Sequence, residues 1–325
     1  MTNETALPDI GSEIRGAIDI VDERARRSIG PDARLLRLTG GATWAEGPVY
    51  LRGESTVMYS DIPNDRALAW SERDGMTTWR QPNDFSNGNT LDREGRIVHC
   101  EHGNRRVSRT ELDGTRAKLV DAYDGKPLNS PNDVVVKSDG TIWFTDPPYG
   151  ILSDHEGHQA PIEQAGCFVY RYDPADSSLT VASDAMDYPN GLAFSVDEQR
   201  LYASDTSATP KPGGNHHIVA FDVIDGHRLS EPTVIYVMEP GLPDGLRVDE
   251  HGDIWTSAGD GIHLIDAKGA MLARIRLPEK SANCVFGGPD GRRLFITASS
   301  SLYSLDTKVQ GAGVAAAVAR GEAGV

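Results

Sequence analysis

A chain of 325 residues, 38% hydrophobic and 25% charged, carries enough apolar material for one large all-β domain or two average ones and is not composed like a disordered segment. Its 48 Asp and Glu against 32 Lys and Arg leave a formal net charge of −16. That excess repels phosphate backbones, so no nucleic acid is expected as a partner, and it attracts cations. No apolar run is long enough for a bilayer span, so no membrane partner is expected. Cys100, Cys167 and Cys284 are too scattered for a disulfide framework or a thiolate zinc site.

The opening residues MTNETALPDIGSEIRG lack a basic stretch followed by an apolar one, so no secretory leader is expected, and the cysteines read as reduced thiols of a cytoplasmic protein. Over 12–29, Ile14, Ile18, Val21, Ala25 and Ile29 fall near helical spacing, with Ser12 as N-cap and Gly30-Pro31 as the stop; this predicts a short helix outside the main domain. The segment 33–39, ARLLRLT, predicts a lone strand.

From Glu46 onward a unit repeats six times: EGPVYLRGESTVMYSD from Glu46, NGNTLDREGRIVHCE from Asn87, NDVVVKSDGTIWFTD from Asn132, NGLAFSVDEQRLYASD from Asn190, DGLRVDEHGDIWTSA from Asp244 and NCVFGGPDGRRLFITA from Asn283. Each unit opens on a polar residue, then runs through a short apolar stretch, a turn with Gly, Asp or Glu, and a second apolar stretch, which is a β-hairpin pattern. Segments 167–174, 217–223, 261–269 and 301–307 predict third strands, and 116–123, 178–184, 233–240 and 271–278 predict fourth strands. Four strands in each of six units predict an all-β, six-bladed β-propeller. The sixth unit runs out after Asp306 with three strands, so 33–39 is expected to supply the missing one and close the ring. The chain then divides into an N-terminal extension with its helix (1–31), the propeller (32–310) and a Gly/Ala-rich flexible tail (311–325).

In a propeller the first strand of each blade lies nearest the axis. The residues opening the repeats, Glu46, Asn87, Asn132, Asn190, Asp244 and Asn283, therefore converge on one mouth of the axial channel, where second-strand ends add Asp61, Glu101 with His102, Asp146 and Asp205. Singly, Asn and Asp before Gly are turn formers. Together, six oxygen-bearing side chains make a ring that turn chemistry does not require. A ring containing carboxylates repels itself unless a cation sits within it or pKa values rise. Two carboxylates with amide oxygens form a hard-oxygen set, which predicts one divalent metal ion: Ca²⁺ first, with Mg²⁺, Mn²⁺ or Zn²⁺ as alternatives. Asp61, Asp146 and Asp205 are expected in supporting roles, orienting the ring. His155 and His158 sit in a polar insertion and read as lid or surface. His216-His217 follow a Gly/Pro-rich stretch and read as a loop or pocket rim, and Trp143 and Trp255 read as core. No Gly-x-Ser-x-Gly elbow, His-Glu-x-x-His helix or phosphate loop is present.

The stretches Glu46-Gly-Pro-Val-Tyr, Ser130-Pro-Asn-Asp-Val, Trp143-Phe-Thr-Asp-Pro-Pro-Tyr-Gly, Tyr188-Pro-Asn-Gly-Leu and Leu242-Pro-Asp-Gly-Leu resemble the SMP-30/gluconolactonase (regucalcin-like) family and stand in family order. Cys100-Glu-His-Gly-Asn-Arg-Arg is similar to its bacterial gluconolactonase branch. The resemblance implies a propeller with one divalent metal held by Glu46, Asn190 and Asp244, with Asp244 also the general base and Asn132 near the metal and touching substrate. Animal members carry an arginine two residues before that asparagine, where this chain has Ser130; His102 and Arg105 are the candidates to compensate. The implied activity is hydrolysis of a sugar lactone such as gluconolactone to the aldonic acid, by a monomer or homodimer, with Asn132, Asn87, His102 and Arg105 binding the small-molecule substrate. Two alternatives stand beside it: a propeller esterase acting on aryl esters or organophosphates, and a non-catalytic propeller scaffold.

Overall fold

The computed structural model describes residues 7–313. Six antiparallel sheets stand around one axis. Their first strands are Ala45–Leu51, Ser86–Leu91, Val134–Val136, Pro189–Phe194, Leu246–Val248 and Ser281–Gly287. Each pairs with a second strand: Thr56–Asp61, Ile97–Glu101, Ile142–Thr145, Arg200–Asp205, Ile254–Ala258 and Arg293–Ala298. First strands of successive blades touch all the way round, including the sixth against the first. The third and fourth strands read from the sequence are formed, for example Val169–Asp173 and Ser178–Ser183 in blade three, while Arg66–Ser71 and Gly75–Arg80 of blade one and Arg106–Thr110 of blade two are strands the sequence analysis did not identify.

Apolar side chains gather between the blades rather than on the axis. Val98, Cys100, Val107, Val134, Phe144 and Tyr170 pack between blades two and three, and Trp143, Val169, Leu192, Leu201 and Phe221 between three and four. Trp143 and Trp255 are fully buried core residues, their indole N–H groups bonded to Thr141 Oγ1 and Asp249 Oδ2 at 3.0 Å each. With the apolar area spent sheet against sheet, the axis is left to polar side chains.

The ring closes as the repeat count requires. Leu35–Gly40 pairs antiparallel with Ser301–Asp306 as the outer strand of blade six, Leu35 opposite Leu305 and Gly40 opposite Ser301. Leu35 is 1% exposed. Leu35→Ala is therefore expected to cost about 2–5 kcal/mol, measured as a lowered urea midpoint.

The helix expected over 12–29 is not formed. Ile18–Ile20 is a strand added outside Met271–Arg276 of blade five, and Glu23–Arg27 is a single 3₁₀ turn capped by Asp22. Gly16 lies at φ +68°, in the left-handed region, just before a run of β-branched residues. The open edge of blade five offers them a hydrogen-bonded partner, and edge pairing outweighs the helical spacing. Ile14, Ile18 and Ile20 still pack on the blade five–six core, but Val21, counted in that helical spacing, is 58% exposed.

Gly311, in the expected flexible tail, forms a bridge with Asp249, and Ala312 packs on the blade four–five core; residues 314–325 of that tail lie outside the described residues. Among the described residues no helix is long and apolar enough to cross a membrane.

Candidate active site at the axial mouth

Glu46, Asn87, Asn132, Asn190 and Asn283 are buried around the axis, and Asp244 is half-buried. Contacts link them from blade to blade. A Cβ on Gly47 would strike the Asn87 carbonyl and one on Gly191 the Asp244 carbonyl, so only glycine lets these blade origins approach. Hydroxyls at second-strand ends cross to the next blade: Ser60 Oγ donates to Asn87 O at 2.8 Å, Thr145 Oγ1 to Asn190 O at 2.7 Å and Ser204 Oγ to Asp244 O at 2.7 Å. Gly88 N–H donates to Asn132 O and Gly245 N–H to Ala282 O, both at 2.8 Å. Asn283 Nδ2 donates to Glu46 Oε2 at 3.3 Å, completing the circle.

The second-strand aspartates hold the chain just ahead of these openers. Asp61 accepts from Thr43 N and Trp44 N, Asp146 from Asn129 N and Asp205 from Asp187 N. Each carboxylate thus fixes the approach to the ring residue of its own blade. Burial pushes Asp146 up to about 7.

Two carboxyls in the ring are electrostatically frustrated. Burial raises Glu46 well above the usual range, and neighbouring Asp244 raises it further. Burial likewise pushes Asp244 up to about 7; Lys280 opposes the shift, while Asp133 and Glu156 add to it. Glu46 Oε2 accepts from Gly47 N at 2.8 Å as well as from Asn283, whereas Oε1 accepts nothing among the described residues. The Asn190 amide lies near enough to Asp244 to offset part of its upward shift and donates to Thr206 Oγ1 at 3.3 Å, and its Oδ1 accepts nothing among the described residues. Three acceptor groups with spare lone pairs, two of them carboxylates raised by crowding, fit a hard divalent cation. No group of three or more His, Cys, Asp and Glu side chains among the described residues is arranged to hold a metal; the set here is of another kind, with an amide oxygen as its third member.

His102 is fully buried. Its Nδ1 lies 3.0 Å from the carbonyl of Glu156, which only accepts, so Nδ1 carries the proton and Nε2 keeps its lone pair. Nε2 lies 3.5 Å from Asn87 Nδ2. Burial pushes this imidazole down to about 4, so it is neutral at neutral pH. Arg105 holds the chain ahead of blade three, its Nε donating to Leu128 O at 2.6 Å and Asn129 O at 3.1 Å and its Nη1 pairing with Glu163 at 3.3 Å, while its buried Nη2 has no partner among the described residues. His216 is bonded to Met238 O, and His217 pairs in strand with Asp205 and Val237.

Three charged residues at this mouth escaped the sequence analysis. Asp133 is a further buried carboxylate, its Oδ2 lying 3.5 Å from Arg247 Nη1. A signal for it existed: Glu46, Asn87, Asn190 and Asp244 are each followed by Gly, and only Asn132 by a second acid. Glu156 and Lys280 both act on Asp244, and neither carries a motif. Ser130 donates from Oγ to Pro147 O at 2.6 Å and accepts from Gly150 N at 2.9 Å. It anchors the short helix Tyr149–Leu152 that packs beside the site.

A family model described as the SMP-30/Gluconolactonase/LRE-like region matches residues 44–300. A gluconolactonase of Zymomonas mobilis is 29% identical over 293 residues, covering 82% of this chain and 80% of that protein. The pentonolactonase XacC of Haloferax volcanii is 29% identical over 260 residues, covering 78% of this chain and 80% of that protein. The solved structure of a gluconolactonase from Xanthomonas campestris, 40% identical, aligns with a TM-score of 0.85 over 93% of this chain and 98% of that one.

Proposed function

Because the chain belongs to the SMP-30/gluconolactonase/LRE-like family, we propose that it hydrolyses a sugar lactone, gluconolactone or a close relative, to the aldonic acid, with one divalent metal ion held by Glu46, Asn190 and Asp244. The observation that carries this reading is the convergence of two crowded carboxyls and an amide on the axis, each with acceptor oxygens left unused. When bound, the metal supplies charge balance for the carboxylates and Lewis-acid polarisation of the lactone carbonyl.

The remaining chemistry belongs to the side chains. Asp244 takes a proton from the water that attacks the carbonyl carbon and returns it to the ring oxygen as the C–O bond breaks, leaving a carboxylic acid and a free hydroxyl. Asn132 and Asn87 hold substrate hydroxyls through their amides. Neutral His102 offers Nε2 as an acceptor, its ring oriented by the Glu156 carbonyl. Asp146 and Asp205 keep Asn132 and Asn190 in place by fixing the backbone ahead of them.

Chelation is expected to abolish hydrolysis of glucono-δ-lactone, followed by pH-stat titration, and add-back of Ca²⁺, Mg²⁺, Mn²⁺ or Zn²⁺ singly to restore it. Undiminished turnover after complete removal of metal would sink the metal-dependent reading.

A further inference from the structure

The insertion after blade three's second strand forms a roof over the axial mouth. It is fixed to three blades. Gly150 N bonds Ser130 Oγ, Tyr149 Oη bonds Thr206 O at 3.0 Å, and the Glu156 carbonyl meets His102 Nδ1. The His158 ring stands edge-on to Phe85 at 5.2 Å. Within the roof, Ala160 N bonds Ile151 O at 3.1 Å, and Gly157 presses on the Gly150 carbonyl so closely that a Cβ would not fit.

The anchored turn delivers one acidic side chain. Glu156 is half-buried, and among the described residues nothing donates a hydrogen bond to its carboxylate. It acts electrostatically on Asp244 from blade five, and Lys280, ahead of blade six, acts on both. Lys280 itself rests over the Trp44 ring at 5.1 Å. Glu156 is thus held by its backbone against His102, itself 3.5 Å from the ring residue Asn87, and is half-buried at the mouth. A partly desolvated carboxylate without a donor is destabilising unless a ligand supplies one.

We propose that Glu156 is a specificity-determining residue of the site, its carboxylate accepting hydroxyl groups of a polyhydroxylated lactone. The proposal rests on the lactonase reading above. A carboxylate offers two acceptor oxygens, which suits a pair of hydroxyls on neighbouring carbons. A ligand that presents hydrocarbon there leaves Glu156 buried and unpaired, so the roof selects sugar lactones over unsubstituted ones.

The test compares glucono-δ-lactone with δ-valerolactone, the same ring without hydroxyls, in the metal-loaded wild type, Glu156→Leu and Glu156→Gln. In the Leu variant kcat/KM for the sugar lactone is expected to fall about 10- to 100-fold, mainly through KM, while that for δ-valerolactone changes less than about threefold. The Gln variant, which keeps one acceptor oxygen, is expected to fall less. Equal losses on both substrates, the mark of a merely structural roof, would overturn the proposal, and so would no loss on either. A second readout is independent of turnover: the Kd of methyl β-D-glucopyranoside, by ligand-observed NMR, is expected to weaken in the Leu variant. If the wild type hydrolyses neither lactone yet binds the glucoside through Glu156, the hydrolytic reading fails and this one stands. If the wild type is an active lactonase and its substrate ratio ignores Glu156, only this one fails.

Discussion

Asp244→Ala is expected to lower kcat/KM for glucono-δ-lactone by about 10²–10⁴-fold, the range set by loss of a general base. Folding does not depend on the lost carboxylate. The Asp244 backbone is held independently, its N–H by Ser257 Oγ at 2.8 Å and its carbonyl by Ser204 Oγ at 2.7 Å. Removing the side chain also removes a crowded, half-buried acid, so thermal stability in the absence of metal is expected to hold or rise. Asp244→Asn separates two roles, since it keeps an oxygen donor but takes no proton. Its kcat is expected to fall nearly as far as in the alanine variant while KM stays within a few-fold. Near-normal turnover in either variant removes Asp244 as the base.

The second large effect concerns stability. Metal-stripped protein is expected to melt at progressively lower temperature as pH rises from about 5 to 8. Burial and then Asp244 raise Glu46, and burial above all pushes Asp244 up to about 7. A carboxyl whose folded pKa exceeds its unfolded value takes up a proton on folding. Its contribution is fullest below the unfolded value of about 4 and is lost as pH climbs through the folded one. For Asp244 alone this amounts to roughly 2–4 kcal/mol. Ca²⁺ is expected to restore the melting temperature most at the alkaline end, where its ligands are ionised without it. Glu46→Gln removes one member of the pair, so its metal-free melting curve is expected to be flatter with pH and its response to Ca²⁺ small. Calorimetry at three pH values, with chelator or with Ca²⁺, reads both effects; a metal-free melting temperature independent of pH would falsify the frustration of the carboxyl pair.

The blades were legible because each hairpin repeats one local grammar, a polar opener followed by two apolar runs around a turn. The closing strand was legible by subtraction, since a sixth unit with three strands needs a fourth. The segment 12–29 was misread because Ile14, Ile18, Val21 and Ala25 satisfy a helical period, while the deciding partner, the open edge at Met271–Arg276, is more than two hundred positions away. The ring itself was visible in its openers. Lys280 was not, because it reaches the mouth from a loop that bears no repeat. Glu156 was not, because its insertion looked like surface: its neighbours His155 and His158 are indeed exposed, and only the fold turns the acid between them inward.

The strand Leu35–Gly40 is made before any of the six first strands, and its partner Ser301–Asp306 only after five whole blades. On a ribosome the circle cannot be sealed until residue 306 has emerged. Until then the nascent protein carries an unmatched ribbon at its front end and an incomplete crescent of sheets behind it, the kind of exposed edges that chaperones shield. Truncations that remove the first forty residues, or stall synthesis before residue 301, should therefore yield the same product: a set of blades with no clasp, prone to aggregate however well each sheet is formed.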